Sequence, residues 1–186
     1  MEAEVEGIEF ALIVACALDG GIGKDNKIPW YIPGDLKHFK QLTTTCPDGF
    51  MNAVVMGRNT FESLPEQHKP LPSRVNIVVS TTLEQTSSST SNIHVVRSLQ
   101  EALELVGRLQ YVHKTFVIGG SRLYHEALEH PSCTKAFVTH VYHHFPCDVF
   151  FPMGPLFSDF TKATKGQVNE HKGLFYAFYT YLRNKI

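Results

Sequence analysis

Apolar residues in this chain fall in short unbroken runs, and the stretches between them carry helical spacing. Residues 10–17 (FALIVACA) form a continuous apolar run, as a strand buried on both faces requires. Residues 53–57 (AVVMG), 75–80 (VNIVVS) and 115–118 (TFVI) repeat the pattern. β-Branched runs that end in Gly or Ser predict central, largely parallel strands. Residues 136–142 (AFVTHVY) and 175–182 (FYAFYTYL) are longer and aromatic, and predict an antiparallel pair at one edge. Asp35 opens a segment with Leu36, Phe39 and Leu42 at three-residue spacing. Ser98-Leu99-Gln100-Glu101 reads as a capping box before a helix facing inward through Leu99, Ala102, Leu103 and Val106. Gly120-Ser121 opens another helix with Leu123, Tyr124, Ala127 and Leu128, and a short one follows Arg58. Alternating strands and helices predict an α/β sheet covered on both faces. Residues 84–92 (EQTSSSTSN) read as a surface loop.

Length and composition narrow this picture. The chain has 186 residues, of which 43% are apolar, enough for one domain with its own core. Lys and Arg number 17 against 18 Asp and Glu, a net charge of −1, which excludes a nucleic-acid binder built on global charge. The longest apolar run, residues 10–18, falls well short of the roughly 20 residues of a membrane-spanning helix. The acidic start MEAEVEGIEF lacks the order of a signal peptide. Cys16, Cys46, Cys133 and Cys147 form no CxxC pair. Four reduced thiols and a cytoplasmic address are the expectation.

Open α/β sheets bind ligands at the carboxyl ends of their strands. Two strands there run into glycine and then a helix: Gly57-Arg58-Asn59-Thr60 and Gly119-Gly120-Ser121-Arg122. Glycine lets backbone approach a ligand, and N–H groups at a helix start bind phosphate. Two such turns could hold the two phosphates of a dinucleotide; the plain alternative is that glycine only ends a strand. Arg58 with Ser80, Thr81 and Thr82 favours phosphate, and a 2′-phosphate in particular. Gly21-Ile22-Gly23 lacks the third glycine of a dinucleotide fingerprint, and the stretch before Lys24 is not a phosphate loop. Residues 22–35 (IGKDNKIPWYIPGD) hold two prolines and the single tryptophan and read as a lid. Asp35 reads alone as an N-cap or first-turn acid. Walled by Trp30, Leu36 and Phe39 it would have a raised pKa and could bind an amidine-like heterocycle. The ten histidines show no metal-ligand spacing and read as surface or structural.

Six ordered blocks carry a resemblance: IVACALDGGIGKDNKIPW, VVMGRNTFESLP, KPLPSRVNIVVS, TFVIGGSRLY, FVTHV and CDVFFP. In these the chain resembles the dihydrofolate reductases over nearly its whole length, from about residue 8 to 182. The resemblance implies a single domain with an eight-stranded, mostly parallel sheet, an antiparallel C-terminal edge and about four helices. It implies NADPH-dependent reduction of 7,8-dihydrofolate to tetrahydrofolate, in support of one-carbon and thymidylate metabolism, by an antifolate target. Asp35 would hold the pterin ring, Thr139 would support Asp35, and Trp30 would hold an ordered water that delivers a proton to N5. Arg74 would pair with the substrate's α-carboxylate, whereas alone it reads as a surface arginine. Leu36, Phe39, Leu64 and Leu71 would sandwich the substrate rings, and Ile13, Val14 and Ile118 would touch the pterin. Ala15 and the loop Gly21, Ile22, Gly23, Lys24, Asp25, Asn26, Lys27 would meet the nicotinamide. Gly57, Arg58, Asn59 and Thr60, with Val79, Ser80, Thr81 and Thr82, would hold the adenosine and its phosphates, with Arg97 near the adenine. Gly119, Gly120, Ser121, Arg122, Leu123, Tyr124, His125 and Glu126 would cradle the pyrophosphate, with Tyr124 against the nicotinamide and a cis Gly119–Gly120 peptide.

Departures also carry information. Phe61 stands where many members have Trp. The five-residue step from Trp30 to Asp35 resembles bacterial and protist members, while longer loops at 43–52 and 66–69 point to a eukaryote. The chain is expected to be a monomer, or a domain excised from a fusion with thymidylate synthase, with no membrane or nucleic-acid partner. The alternatives are a pyrimidine reductase on the same scaffold, or a non-catalytic folate- or nucleotide-binding protein.

Overall fold

A computed structural model describes residues 7–84, 87–88 and 92–185. In chain order the elements are β1 (Phe10–Cys16), β2 (Gly21–Gly23), α1 (Pro33–Thr44), β3 (Met51–Gly57), α2 (Arg58–Ser63), a 3-10 turn (Glu66–His68), β4 (Arg74–Val79) and β5 (Ser87–Ser88). There follow β6 (Ile93–Val96), α3 (Leu99–Arg108), β7 (Val112–Gly119), α4 (Ser121–Glu129), β8 (Cys133–Val141) and β9 (Val149–Phe150). The chain continues through α5 (Met153–Asp159), β10 (Phe160–Lys165), β11 (Asn169–His171) and β12 (Leu174–Arg183).

The main sheet runs β10-β12-β8-β1-β7-β3-β4-β6-β5, and β11 pairs with β12. The six strands from β8 to β6 are parallel, while β12 joins β8 antiparallel and β10 joins β12 antiparallel. Without the short β5 and β11 this is the expected eight-stranded, mostly parallel sheet. The aromatic pair β8 and β12 is antiparallel as expected, but β10 covers β12 and is itself the edge. Among the described residues five α-helices form instead of about four. The extra one, α5, holds Gly154 and Pro155 in its first turn, residues that signal a loop. Of the expected surface loop 84–92, residues 85–86 and 89–91 lie outside the described residues, and Ser87–Ser88 pairs with β6. The acidic start, residues 1–6, also lies outside them.

The apolar runs are continuous because both faces of the sheet are covered. Leu12, Val14 and Cys16 of β1 point into a core under α3, α4 and α5, with Leu103, Val106, Leu128 and Leu156. Ala11 and Ile13 point the other way, toward Phe39, Leu42 and Phe61. Fully burying one such aliphatic side chain stabilises the fold by about 1.5–3 kcal/mol. A third cluster joins Ile32, Val141 and Tyr176, with Trp30 packed against it. Among the described residues no helix is long and apolar enough to cross a membrane.

Helix ends follow local chemistry with one variation. Ser98 Oγ accepts the Glu101 N–H, as a capping box requires, but the Glu101 carboxylate accepts the N–H of Arg97, one residue earlier than expected. At the end of α1, the Asn52 side chain donates to the carbonyls of Thr43 and Thr45, satisfying acceptors the helix leaves open.

Candidate functional site

Parallel strands that turn into helices leave a crevice at their carboxyl ends. A cleft of 1430 Å³ lies there, walled by β1, β3, β4 and β7 with α1, α2 and α4. It brings together residues from every block of the chain that carries the family resemblance.

At its inner end sits Asp35. Its place is the third residue of α1, after Pro33 and Gly34, with Ile32 as the N-cap, so it is a first-turn acid and not the cap itself. Pro33 suits the first helical position because it has no N–H to leave unpaired. The Asp35 N–H donates to the Ile32 carbonyl at 3.0 Å. From the sheet, Thr139 of β8 donates its hydroxyl to Asp35 Oδ1 at 2.7 Å. Burial pushes the Asp35 carboxyl above its ordinary range, and the Thr139 hydroxyl pulls it partly back. Trp30, Leu36 and Phe39 line the cleft around it. Trp30 is held by Phe145, with ring centroids 5.2 Å apart.

Farther along the same wall, Arg74 is 4% exposed, so it is no surface arginine. Its Nε donates to the Pro72 carbonyl and one Nη to the Thr43 hydroxyl, each at 2.9 Å. Its guanidinium lies 5.9 Å from the centre of the Phe39 ring. Burial pulls the guanidinium below its usual value. No carboxylate pairs with it among the described residues.

Another part of the cleft is built from glycines and helix starts. Gly57 and Gly120 are the N-caps of α2 and α4, neither with a side-chain cap. The Gly119–Gly120 peptide is cis. A Cβ on Gly119, whose φ is +120°, would stand 3.1 Å from the Tyr124 ring. A Cβ on Gly57 would stand 3.7 Å from the Gly120 nitrogen, so the two turns face each other closely. Tyr124 is buried and donates its hydroxyl to the Ile13 carbonyl at 2.7 Å. Burial pushes that phenol well above its usual value. Arg58 donates to Thr82 Oγ1 at 2.9 Å, and Arg97 donates to the carbonyls of Ser80 and Leu83 at 2.6 Å.

The cleft has a positive interior in a chain of net charge −1. Lys27, Lys40, Arg58, Arg74, Arg97 and Arg122 line it against two acids, Asp35 and Glu126. Such focused charge attracts polyanionic ligands.

The expected substrate residues Ile13, Val14, Leu36, Phe39, Leu64, Leu71, Arg74, Ile118 and Thr139 all line this cleft. So do Ala15, Ile22, Gly23, Asn26, Lys27, Gly57 to Thr60, Val79 to Thr82, Arg97, Gly119 to Tyr124 and Glu126. Four expected residues do not. Lys24 and Asp25 turn away, toward Asp148, which accepts the Asp25 N–H at 3.0 Å and lies 3.8 Å from the Lys24 ammonium. Gly21 is buried against Cys147, and His125 is exposed on α4, 3.5 Å from Glu129. The cleft also takes in Ile28, Tyr31, Lys40, Thr44, His68 and Ser73, which sequence reasoning missed. Lys40 could have been found, since it follows Leu36 by four residues on one helix face.

The arrangement is that of an open α/β protein with a pair of glycine turns and a buried acid in one cleft. The chain belongs to the dihydrofolate reductase family: the model of that family, described as dihydrofolate reductase, matches residues 9–183. It is 42% identical over 148 residues to a bifunctional dihydrofolate reductase-thymidylate synthase of Daucus carota, covering 77% of this chain and 28% of that protein. It is 43% identical over 145 residues to a dihydrofolate reductase of Schistosoma mansoni, covering 76% of each. A dihydrofolate reductase of Pneumocystis carinii is 40% identical over 152 residues, covering 76% of this chain and 73% of that one. The match thus spans under a third of the Daucus fusion protein and about three quarters of the two single-activity relatives.

Proposed function

We propose that this chain reduces 7,8-dihydrofolate to tetrahydrofolate with NADPH, binding both in the one cleft. One observation carries the reading: a buried acid and a buried arginine without a carboxylate partner share a wall lined by Leu36, Phe39 and Leu71. An elongated ligand with a protonatable heterocycle at one end and a carboxylate at the other fits that spacing of chemistry. Asp35 Oδ1 is engaged by Thr139, which leaves Oδ2 for the paired N–H donors of a pterin. The low-polarity wall keeps water off that pair and strengthens it. Arg74, already oriented by Thr43 and Pro72, would take the α-carboxylate in a charge-assisted bond. Proton delivery to N5 is assigned to a water held near Trp30, with Asp35 favouring the tautomer that accepts it.

The part of the cleft built on the glycine turns fits a phosphorylated dinucleotide. The uncapped start of α4 presents N–H groups, the cradle of Gly57, Gly119 and Gly120 leaves room for close approach, and Arg58, Arg97 and Thr82 stand by for a 2′-phosphate. When bound, NADPH supplies the hydride that goes to C6. The protein's own share is to align the two ligands and exclude water.

The test is the fall in NADPH absorbance on adding dihydrofolate, with methotrexate as inhibitor. Turnover abolished by methotrexate and poorer with NADH is the expected result. Folded protein that binds NADPH without turnover would overturn it, in favour of a pyrimidine reductase or a non-catalytic binder. The same unit occurs alone and fused in the relatives, so the activity is proposed for the unit itself.

A further inference from the structure

On the face of the sheet covered by α5, two donor atoms of soft or borderline character stand beside the Cys16 thiol. Cys16, the last residue of β1, is fully buried. Its Sγ lies 4.0 Å from Met153 Sδ and 3.9 Å from His140 Nδ1. Met153 opens α5, and His140 is the register partner of Cys16 on β8. The other ring nitrogen of His140, Nε2, lies 2.9 Å from the Tyr181 hydroxyl, and the Tyr179 ring stands edge-on to the imidazole at 4.6 Å. The His140 ring is thus fixed from behind, with Nδ1 toward the thiol. That is how a metal-ligating histidine is usually held.

We propose that Cys16, His140 and Met153 form a three-coordinate site for the soft monovalent cation Cu(I). With bonds as short as those zinc makes, about 2.3 Å to sulfur and about 2.0 Å to nitrogen, a trigonal ligand set has S···S separations of about 4.0 Å and S···N separations of about 3.7 Å. The two separations from Cys16 Sγ, 4.0 Å to the thioether and 3.9 Å to the imidazole nitrogen, are close to these values. Thiolate and thioether donors select Cu(I) over harder ions. Binding exchanges one proton for one cation: Cys–SH + M⁺ gives Cys–S–M + H⁺. His140 and Met153 are only partly buried.

The test uses the full chain carrying Cys46→Ser and Cys147→Ser, since both those thiols are more accessible than Cys16. Cu(I) buffered by bicinchoninate is titrated in without oxygen. The expected result is one Cu(I) per chain, one proton released, and an X-ray absorption edge fitted by two sulfurs and one nitrogen. Met153→Leu, which conserves volume and fold, should weaken binding at least tenfold, and Cys16→Ser at least a hundredfold, with circular dichroism unchanged. Failure of the folded chain to hold Cu(I), or binding unmoved by Met153→Leu, would overturn the site. The measurement does not depend on the reductase reading.

Discussion

Thr139 and Asp35 are 104 positions apart in the chain and 2.7 Å apart in space, the hydroxyl donating to the carboxylate. The bond ties the first turn of α1 to β8. It also divides the work on the acid: burial raises the carboxyl, and Thr139 restrains the rise. Removing the hydroxyl while keeping its shape, Thr139→Val, should therefore raise the Asp35 titration midpoint further. Carbon-13 NMR of the labelled side-chain carboxyl reads that midpoint directly. An unmoved midpoint would mean that Thr139 does not tune the acid.

Asp35→Asn should lose most turnover at neutral pH, keep NADPH binding and make the protein more stable. The folded carboxyl holds its proton more tightly than the unfolded one. Its favourable contribution is complete below the unfolded pKa and is lost as pH rises through the raised folded value, which leaves a penalty at pH 7. Asparagine carries no such penalty. Melting temperature at pH 7 should rise by a few degrees, and the gap from the native protein should close in acid. Near-normal turnover, or a lower melting temperature at pH 7, would sink this account.

Arg74 already has its two protein hydrogen bonds, so its remaining capacity faces the cleft. Arg74→Leu should raise KM for dihydrofolate by about a hundredfold or more, because a charge-assisted pair of this kind is worth roughly 2–5 kcal/mol. NADPH affinity should stay unchanged. Steady-state kinetics with each ligand varied separates the two, and an unchanged KM would remove Arg74 from the substrate site.

Gly34 sits one residue before the acid, and a Cβ there would collide with the Tyr176 hydroxyl. Gly34→Ala should destabilise the protein by about 1–3 kcal/mol, as overpacking does. It should also lower kcat by displacing Asp35. Adding Tyr176→Phe should recover part of both losses. Urea denaturation of the single and double variants gives the coupling, and purely additive effects would show that the two groups do not meet.

Much of this architecture was legible in the residues. The runs at 10–17, 53–57 and 75–80 are apolar at every position because each strand is covered twice, and that is a local signal. The paired glycine turns were legible for the same reason, since a strand that ends in Gly before a helix start announces itself over four residues. The family blocks carried Thr139 and Arg74 to the site, but nothing in the neighbourhood of either residue does. Thr139 alone is one more strand residue, and Arg74 alone reads as surface.

What the sequence determined by itself is the α/β class, the strand set and the turns that can meet a ligand, because periodicity and turn chemistry act over a few residues. Neighbourhood was decided only by the tertiary structure. The sheet order put β7 between β1 and β3 and so drew the Gly57 and Gly120 turns together. It placed β10 outside β12 as the true edge. The hairpin at Lys24 and Asp25 was turned from the cleft by Asp148, a residue over a hundred positions away. Cys16 was set against His140 and Met153 in the same way. Each of these depends on strand pairing and packing between distant segments, a free energy that no short window of sequence contains.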